Sequence, residues 1–259
     1  MSDRLATRRV GTGPPVVLVH GGVGPELTWE QQEPLADRWR LVIPWRRGFE
    51  PSPPSQRQDF ERDVEDLLAL LADEDGAHVV GFSYGGLGAA VAAGREPQLF
   101  RSLVLIESPL YALAPEDQEI SRLTRLGDAF LAGGQAPDDP DRRAFLELAG
   151  IEQGASERDP RIDAAMRLAL GGRPPGEASP DAGAILAAEL PVLVVSGEHH
   201  PALERVCDAI AERLEGERAR IPGAGHAVPR APGFNDRLGT FLDSAEAQRS
   251  TRATEAPPG

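Results

Sequence analysis

The stretch His78-Val79-Val80-Gly81-Phe82-Ser83-Tyr84-Gly85-Gly86 joins a short apolar run to a small-residue segment through Gly-x-Ser-x-Gly. The apolar half, His78–Phe82, reads as a buried strand, and the segment Gly85–Gly94 reads as a helix. So sharp a strand-to-helix turn forces its central serine into a strained backbone conformation. Larger neighbours would clash there, which accounts for the glycines. The turn lifts the serine hydroxyl to the edge of a sheet and sets the N–H of Tyr84 beside it, at a helix N-terminus. Ser83 is therefore the candidate nucleophile.

The same alternation extends outward. Val16–His20, Leu41–Pro44, Leu103–Glu107 and Val192–Ser196 read as buried strands, with Arg218–Ile221 a weaker candidate. Helical patterns lie between them, roughly at Trp29–Arg38, Asp59–Ala72 and Ala202–Leu214. Strand and helix in alternation predict an α/β fold with a mostly parallel central sheet flanked by helices, whose functional groups gather at the carboxyl ends of the strands. From 110 to 188 no strand is evident. Pro115-Glu116-Asp117, Asp139-Pro140 and Asp159-Pro160 instead mark helix starts, the last two as N-cap followed by Pro at the first helical position. This predicts a helical cap insertion at 110–188 within a core formed by 1–109 and 189–245. After Ala245 the periodicity is lost, and 246–259 reads as a flexible tail.

Composition excludes some classes. The net charge is −14, with 41 acidic and 27 basic residues, every basic one an Arg. An acidic surface repels phosphate backbones and anionic lipid, so neither nucleic acid nor a membrane surface is an expected partner. No run is apolar and long enough to span a bilayer, and the stretch from Met1 lacks a secretory apolar region, so cytoplasmic residence is expected. The single cysteine, Cys207, lies on an apolar stripe with Leu203, Val206, Ile210 and Leu214 and reads as a core thiol. Trp29 and Trp39 read as core anchors of one helix.

Taken together, Leu18-Val19-His20-Gly21-Gly22, Arg47-Gly48-Phe49, Gly81–Gly86 and Gly223-Ala224-Gly225-His226 resemble the α/β-hydrolase superfamily, in its serine-nucleophile, helical-cap branch, over residues 10 to 245. The resemblance implies that His226 is the base taking the Ser83 proton, since it follows a strand late in the chain. It also implies an oxyanion hole made by the N–H groups of Gly22 and Tyr84, and a structural role for His20.

The third member of the triad departs from the pattern. Relatives carry a carboxylate where this chain has His200. Two carboxylates stand near: Glu107, which ends an apolar strand at the catalytic edge of the sheet, and Glu198. The reading taken here is Glu107, with Glu198 as the alternative acid and a Ser83–His226 dyad as a third option. His199 and His200 are expected near the pocket, without a metal, and no cofactor is implied. The expected function is hydrolysis of a small carboxylic ester, or a thioester or lactone, through acyl-Ser83. A lyase or carbon–carbon hydrolase with the same triad, and a non-catalytic ligand-binding relative, are the competing readings. The expected partner is a small-molecule substrate, and a homodimer is an open assembly state.

Overall fold

The computed structural model describes residues 3–114, 117–136, 138–149 and 159–255. In chain order the elements are β1 (Thr7–Val10), β2 (Pro15–Val19), α1 (Pro25–Thr28), β3 (Arg40–Pro44), α2 (Phe60–Asp73), β4 (Ala77–Phe82), α3 (Tyr84–Arg95), β5 (Phe100–Ile106), α4 (Gln118–Ala132), α5 (Pro140–Leu148), α6 (Pro160–Ala169), α7 (Ala182–Ala187), β6 (Val192–Ser196), α8 (Pro201–Arg213), β7 (Glu217–Arg220) and α9 (Phe234–Glu255). The seven strands form one sheet in the order β1-β3-β2-β4-β5-β6-β7. Only β1 is antiparallel, paired with β3; all other pairings are parallel.

The central strands are apolar because both sheet faces are covered. Val17, Val79, Leu103, Leu105 and Val194 pack on one side with α2, α3 and α8. Val16, Leu18, Val80, Val104 and Leu193 pack on the other with Trp29, Trp39 and α9. Each fully buried Val or Leu contributes roughly 1.5–3 kcal/mol relative to exposure. Cys207 is buried in the first of these layers. Helix α2 starts where Asp59 accepts a hydrogen bond from the Glu61 N–H at 3.1 Å. Asp117, Asp139 and Asp159 cap α4, α5 and α6 in the same way, the last two with Pro next in line.

Between β5 and β6 the described residues hold helices and no strand. The expected opening at Pro115 and Glu116 lies outside the described residues, as do 256–259.

Three details differ from the sequence expectation. Trp29–Arg38 is not one helix: α1 ends at Thr28, and a 3-10 turn at Glu33–Asp37 follows, with Pro34 in its first turn. The two tryptophans are buried, but they flank that turn and do not share a helix. The stretch from 246, expected to be a loose tail, continues α9 to Glu255. Its first half is anchored by Phe234, Leu238, Phe241, Leu242 and Ala245, all buried against the sheet. No helix among the described residues is long and apolar enough to cross a membrane.

Candidate active site

Ser83 sits at the junction of β4 and α3 with φ 51° and ψ −127°, in the left-handed half of backbone space that costs a non-glycine residue energy. Close packing enforces the turn. A Cβ on Gly85 would lie 2.2 Å from the His20 carbonyl oxygen, and one on Gly81 would lie 2.7 Å from the Gly86 Cα. Neighbouring strands fix the position, since the Ser83 N–H donates to the Ile106 carbonyl at 2.8 Å and the Glu107 N–H donates to the Val195 carbonyl at 3.0 Å. The ends of β4, β5 and β6 are thereby laced together at one edge.

His226 reaches this edge from the loop after β7. Its Nδ1 lies 2.7 Å from Glu107 Oε2 and its Nε2 lies 3.1 Å from Ser83 Oγ. A carboxylate only accepts, so Nδ1 carries the proton. Nε2 then presents its lone pair to the Ser83 hydroxyl. Glu107 is fully enclosed at its side chain. Burial alone would raise its pKa. The His199 ring 3.3 Å away, the hydrogen bond from His226 and that from the Gly197 N–H at 2.8 Å outweigh this and hold the carboxyl at about 2.

The structure thus brings Ser83, His226 and Glu107 into one hydrogen-bonded chain. Glu198 is not part of it: half turned to solvent, it faces Arg220 at 3.8 Å. His200, where the resemblance places an acid, caps α8 by accepting the Ala202 N–H at 3.2 Å.

His199 stands on the far side of Glu107, with Nδ1 3.3 Å from Oε1 and Nε2 3.2 Å from the Leu148 carbonyl. Both neighbours are acceptors, and the carboxylate raises the His199 pKa. Glu107, His199 and His226 each offer a ligand atom within 4.8 Å of the others. Two ligands of one zinc ion sit on the order of 3.3 Å apart, from bonds of about 2.0–2.1 Å in a tetrahedron. The 2.7 Å contact between His226 and Glu107 is the length of a charge-assisted hydrogen bond instead.

Gly22 and Tyr84 both border the space over Ser83, and neither backbone N–H has an acceptor among the described residues. The loop before Gly22 is braced by Arg46, which the sequence reading missed. Arg46 is buried; its Nη1 donates to the Gly21 carbonyl at 2.8 Å, and Nε and Nη2 donate to Asp63 at 3.0 and 2.8 Å. Its backbone N–H donates to His20 Nε2 at 2.9 Å, so His20 carries its proton on Nδ1 and donates to the Val23 carbonyl at 2.7 Å. Burial, with Arg46 adding to it, pushes the His20 pKa down to about 3 and keeps the ring neutral. Trp45, one position earlier, donates from Nε1 to Glu26 at 2.6 Å.

Above Ser83 lies a cavity of about 150 Å³. Tyr111, Leu123, Phe130, Phe145, Met166 and Leu203 supply much of its wall. Phe130 and Phe145 stack with ring centres 4.4 Å apart, tying α4 to α5.

The sheet order, the strained serine turn and the serine–histidine–carboxylate chain define a class. A family model for the alpha/beta hydrolase fold matches residues 14–229, and the chain belongs to that family. Among curated relatives, a pimeloyl-(acyl-carrier protein) methyl ester esterase of Aeromonas hydrophila is 27% identical over 152 residues, 57% of this chain and 59% of that protein. The chain therefore spans about three fifths of the length of that esterase. A 2-(acetamidomethylene)succinate hydrolase of Mesorhizobium japonicum is 27% identical over 252 residues, 86% of this chain and 85% of that one. Among solved structures, a Mycobacterium tuberculosis H37Rv protein described as a non-heme bromoperoxidase superposes with a TM-score of 0.69 at 23% identity. That match covers 93% of this chain and 96% of the other, and it speaks to the fold alone.

Proposed function

We propose that this chain is a serine hydrolase of small carboxylic esters. The observation that carries the reading is the unbroken chain from Ser83 Oγ through His226 to Glu107. Ser83 Oγ attacks the ester carbonyl while its proton passes to His226 Nε2. The new oxyanion is held by the N–H groups of Gly22 and Tyr84. Collapse expels the alcohol, which takes the proton from His226, and leaves acyl-Ser83. Water then repeats the sequence, its proton going to His226 and then to Ser83 as the acid is released. Glu107 keeps the imidazole in the right tautomer and stabilises its charged form. Helices α4 to α6 act as a cap whose apolar face receives the substrate. The curated relatives named as an esterase and a hydrolase support the reaction class. The reading of a non-catalytic relative rested on the missing acid at His200; the 2.7 Å contact of Glu107 with His226 favours the catalytic reading over it.

Initial rates on nitrophenyl esters of increasing acyl length test this, with Ser83→Ala as the blank. The expected result is turnover that vanishes in the variant and passes through an optimum in acyl length. Turnover that persists in Ser83→Ala counts against the mechanism.

A further inference from the structure

The cavity over Ser83 is walled almost entirely by carbon, and no Arg lines it among the described residues. Its one carboxylate, Glu107, is already engaged by His226 and the Gly197 N–H. The Tyr84 hydroxyl, at the same wall, donates away to the Arg173 carbonyl at 2.9 Å. Besides the Tyr111 hydroxyl, a second neutral polar side chain stands in this wall: Gln58, just ahead of α2.

Gln58 is only 5% exposed and borders the same cavity as Ser83. Its backbone is pinned on both sides, the N–H donating to the Leu168 carbonyl at 2.9 Å and the carbonyl accepting the Arg173 N–H at 3.1 Å. Gly172 packs so closely that a Cβ there would lie 2.9 Å from Gln58 Cγ. The side chain is therefore held in place. Its amide offers two donors and an acceptor, yet it makes no hydrogen bond with any described residue. The residue is buried as a whole, and its amide atoms are not among those sealed from solvent without a partner, so at the cavity wall they are open to a ligand.

We propose that Gln58 determines specificity. Its amide hydrogen-bonds one neutral polar group, a ketone, hydroxyl or amide, on the otherwise apolar body of the ester bound at Ser83. The proposal rests on the ester-hydrolase reading above. It sets this chain apart from its Mesorhizobium relative, whose name specifies a succinate, a dicarboxylate. A free carboxylate in this cavity would find neutral groups and no Arg among the described lining residues, close to the negative Glu107; its desolvation would go poorly matched.

The test compares nitrophenyl hexanoate with a set of nitrophenyl oxohexanoates whose ketone is moved along the chain, and with mono-nitrophenyl adipate. In the native enzyme at least one oxo isomer should exceed the hexanoate about tenfold in kcat/KM, and the adipate should fall below it. In Gln58→Leu and Gln58→Met the oxo-to-alkyl ratio should collapse to near one. The melting temperature of Gln58→Met should not fall by much, because the amide makes no hydrogen bond with a described residue and Met is of similar shape. Three results overturn the proposal: no oxo isomer is favoured, the ratio survives in both variants, or both variants lose stability with the ratio unchanged. Absence of any Ser83-dependent turnover is a separate result, since it removes the ester-hydrolase reading itself.

Discussion

Glu107 carries more contacts than a triad acid requires. One oxygen holds His226, the other holds the Gly197 N–H and faces His199. Replacing it by Gln removes the charge that fixes the His226 tautomer, so Glu107→Gln should lower kcat about a thousandfold or more. Glu198→Gln should leave kcat within about twofold, because Glu198 points away towards Arg220. Steady-state kinetics of the two variants side by side decide which carboxylate serves.

The same contacts give stability a pH profile. The Glu107 pKa is lowered from 4.5 to about 2 in the fold, so its contribution is present above 4.5 and fades as pH falls towards 2. The His199 pKa is raised from 6.5, so its contribution is complete below 6.5 and fades as pH rises through the raised value. Denaturation midpoints measured from about pH 3 to about pH 9 should trace a dome. Glu107→Gln should flatten its acid flank and His199→Gln its alkaline flank. Flanks unchanged by both variants would contradict the assignment.

Ser83 and His226 were legible in sequence because each stands in a local pattern, a glycine turn or a late Gly-x-Gly-His. The choice of Glu107 over Glu198 depended on which side chain meets His226 across the sheet, which spacing along the chain does not encode. Gln58 gave no signal at all, since a single Gln in a polar loop looks solvated until its burial is seen.

At the level of elements, the decisive unit is the loop after β2 and its brace. Arg46, in the loop just after β3, bridges Asp63 on α2 and the Gly21 carbonyl beside the proposed oxyanion hole. Asp63 is nearly fully buried, and burial raises its carboxyl pKa against the pull of Arg46. Removing one partner leaves a buried charge uncompensated. Asp63→Ala should therefore lose about 3–5 kcal/mol in urea denaturation, and the remaining folded enzyme should show a lower kcat as Gly21 and Gly22 loosen. A loss below about 1 kcal/mol would mean the pair is not desolvated as described.

The elements were read from sequence in proportion to how much they bury. The strands β2 to β6 are apolar runs and stood out. β1, Thr7-Arg8-Arg9-Val10, did not: it is a half-exposed edge strand with two central arginines, one of which, Arg9, pairs with Glu74. The end of α9 escaped for a related reason, because residues 247–251 are exposed and leave no apolar stripe to detect.

For the molecule as a whole, sheet order is what assembles the site. β4, β5 and β6 lie side by side in register, so Ser83, Glu107 and Gly197 meet although they are far apart in the chain. His226 is delivered from beyond β7, and α4 to α6 lie across the opening. The alternation of strand and helix predicted the mostly parallel sheet flanked by helices. The identity of the substrate was not legible, because the cavity wall is drawn from several helices whose apolar faces serve packing and binding alike.

The central claim is that Ser83 forms an acyl-enzyme. The most direct measurement is intact mass, followed by peptide mapping, of enzyme quenched during turnover of a nitrophenyl ester. The account predicts one added acyl group, located on Ser83 and absent from Ser83→Ala. Steady turnover with no acylated Ser83, or with the label on another residue, would contradict it.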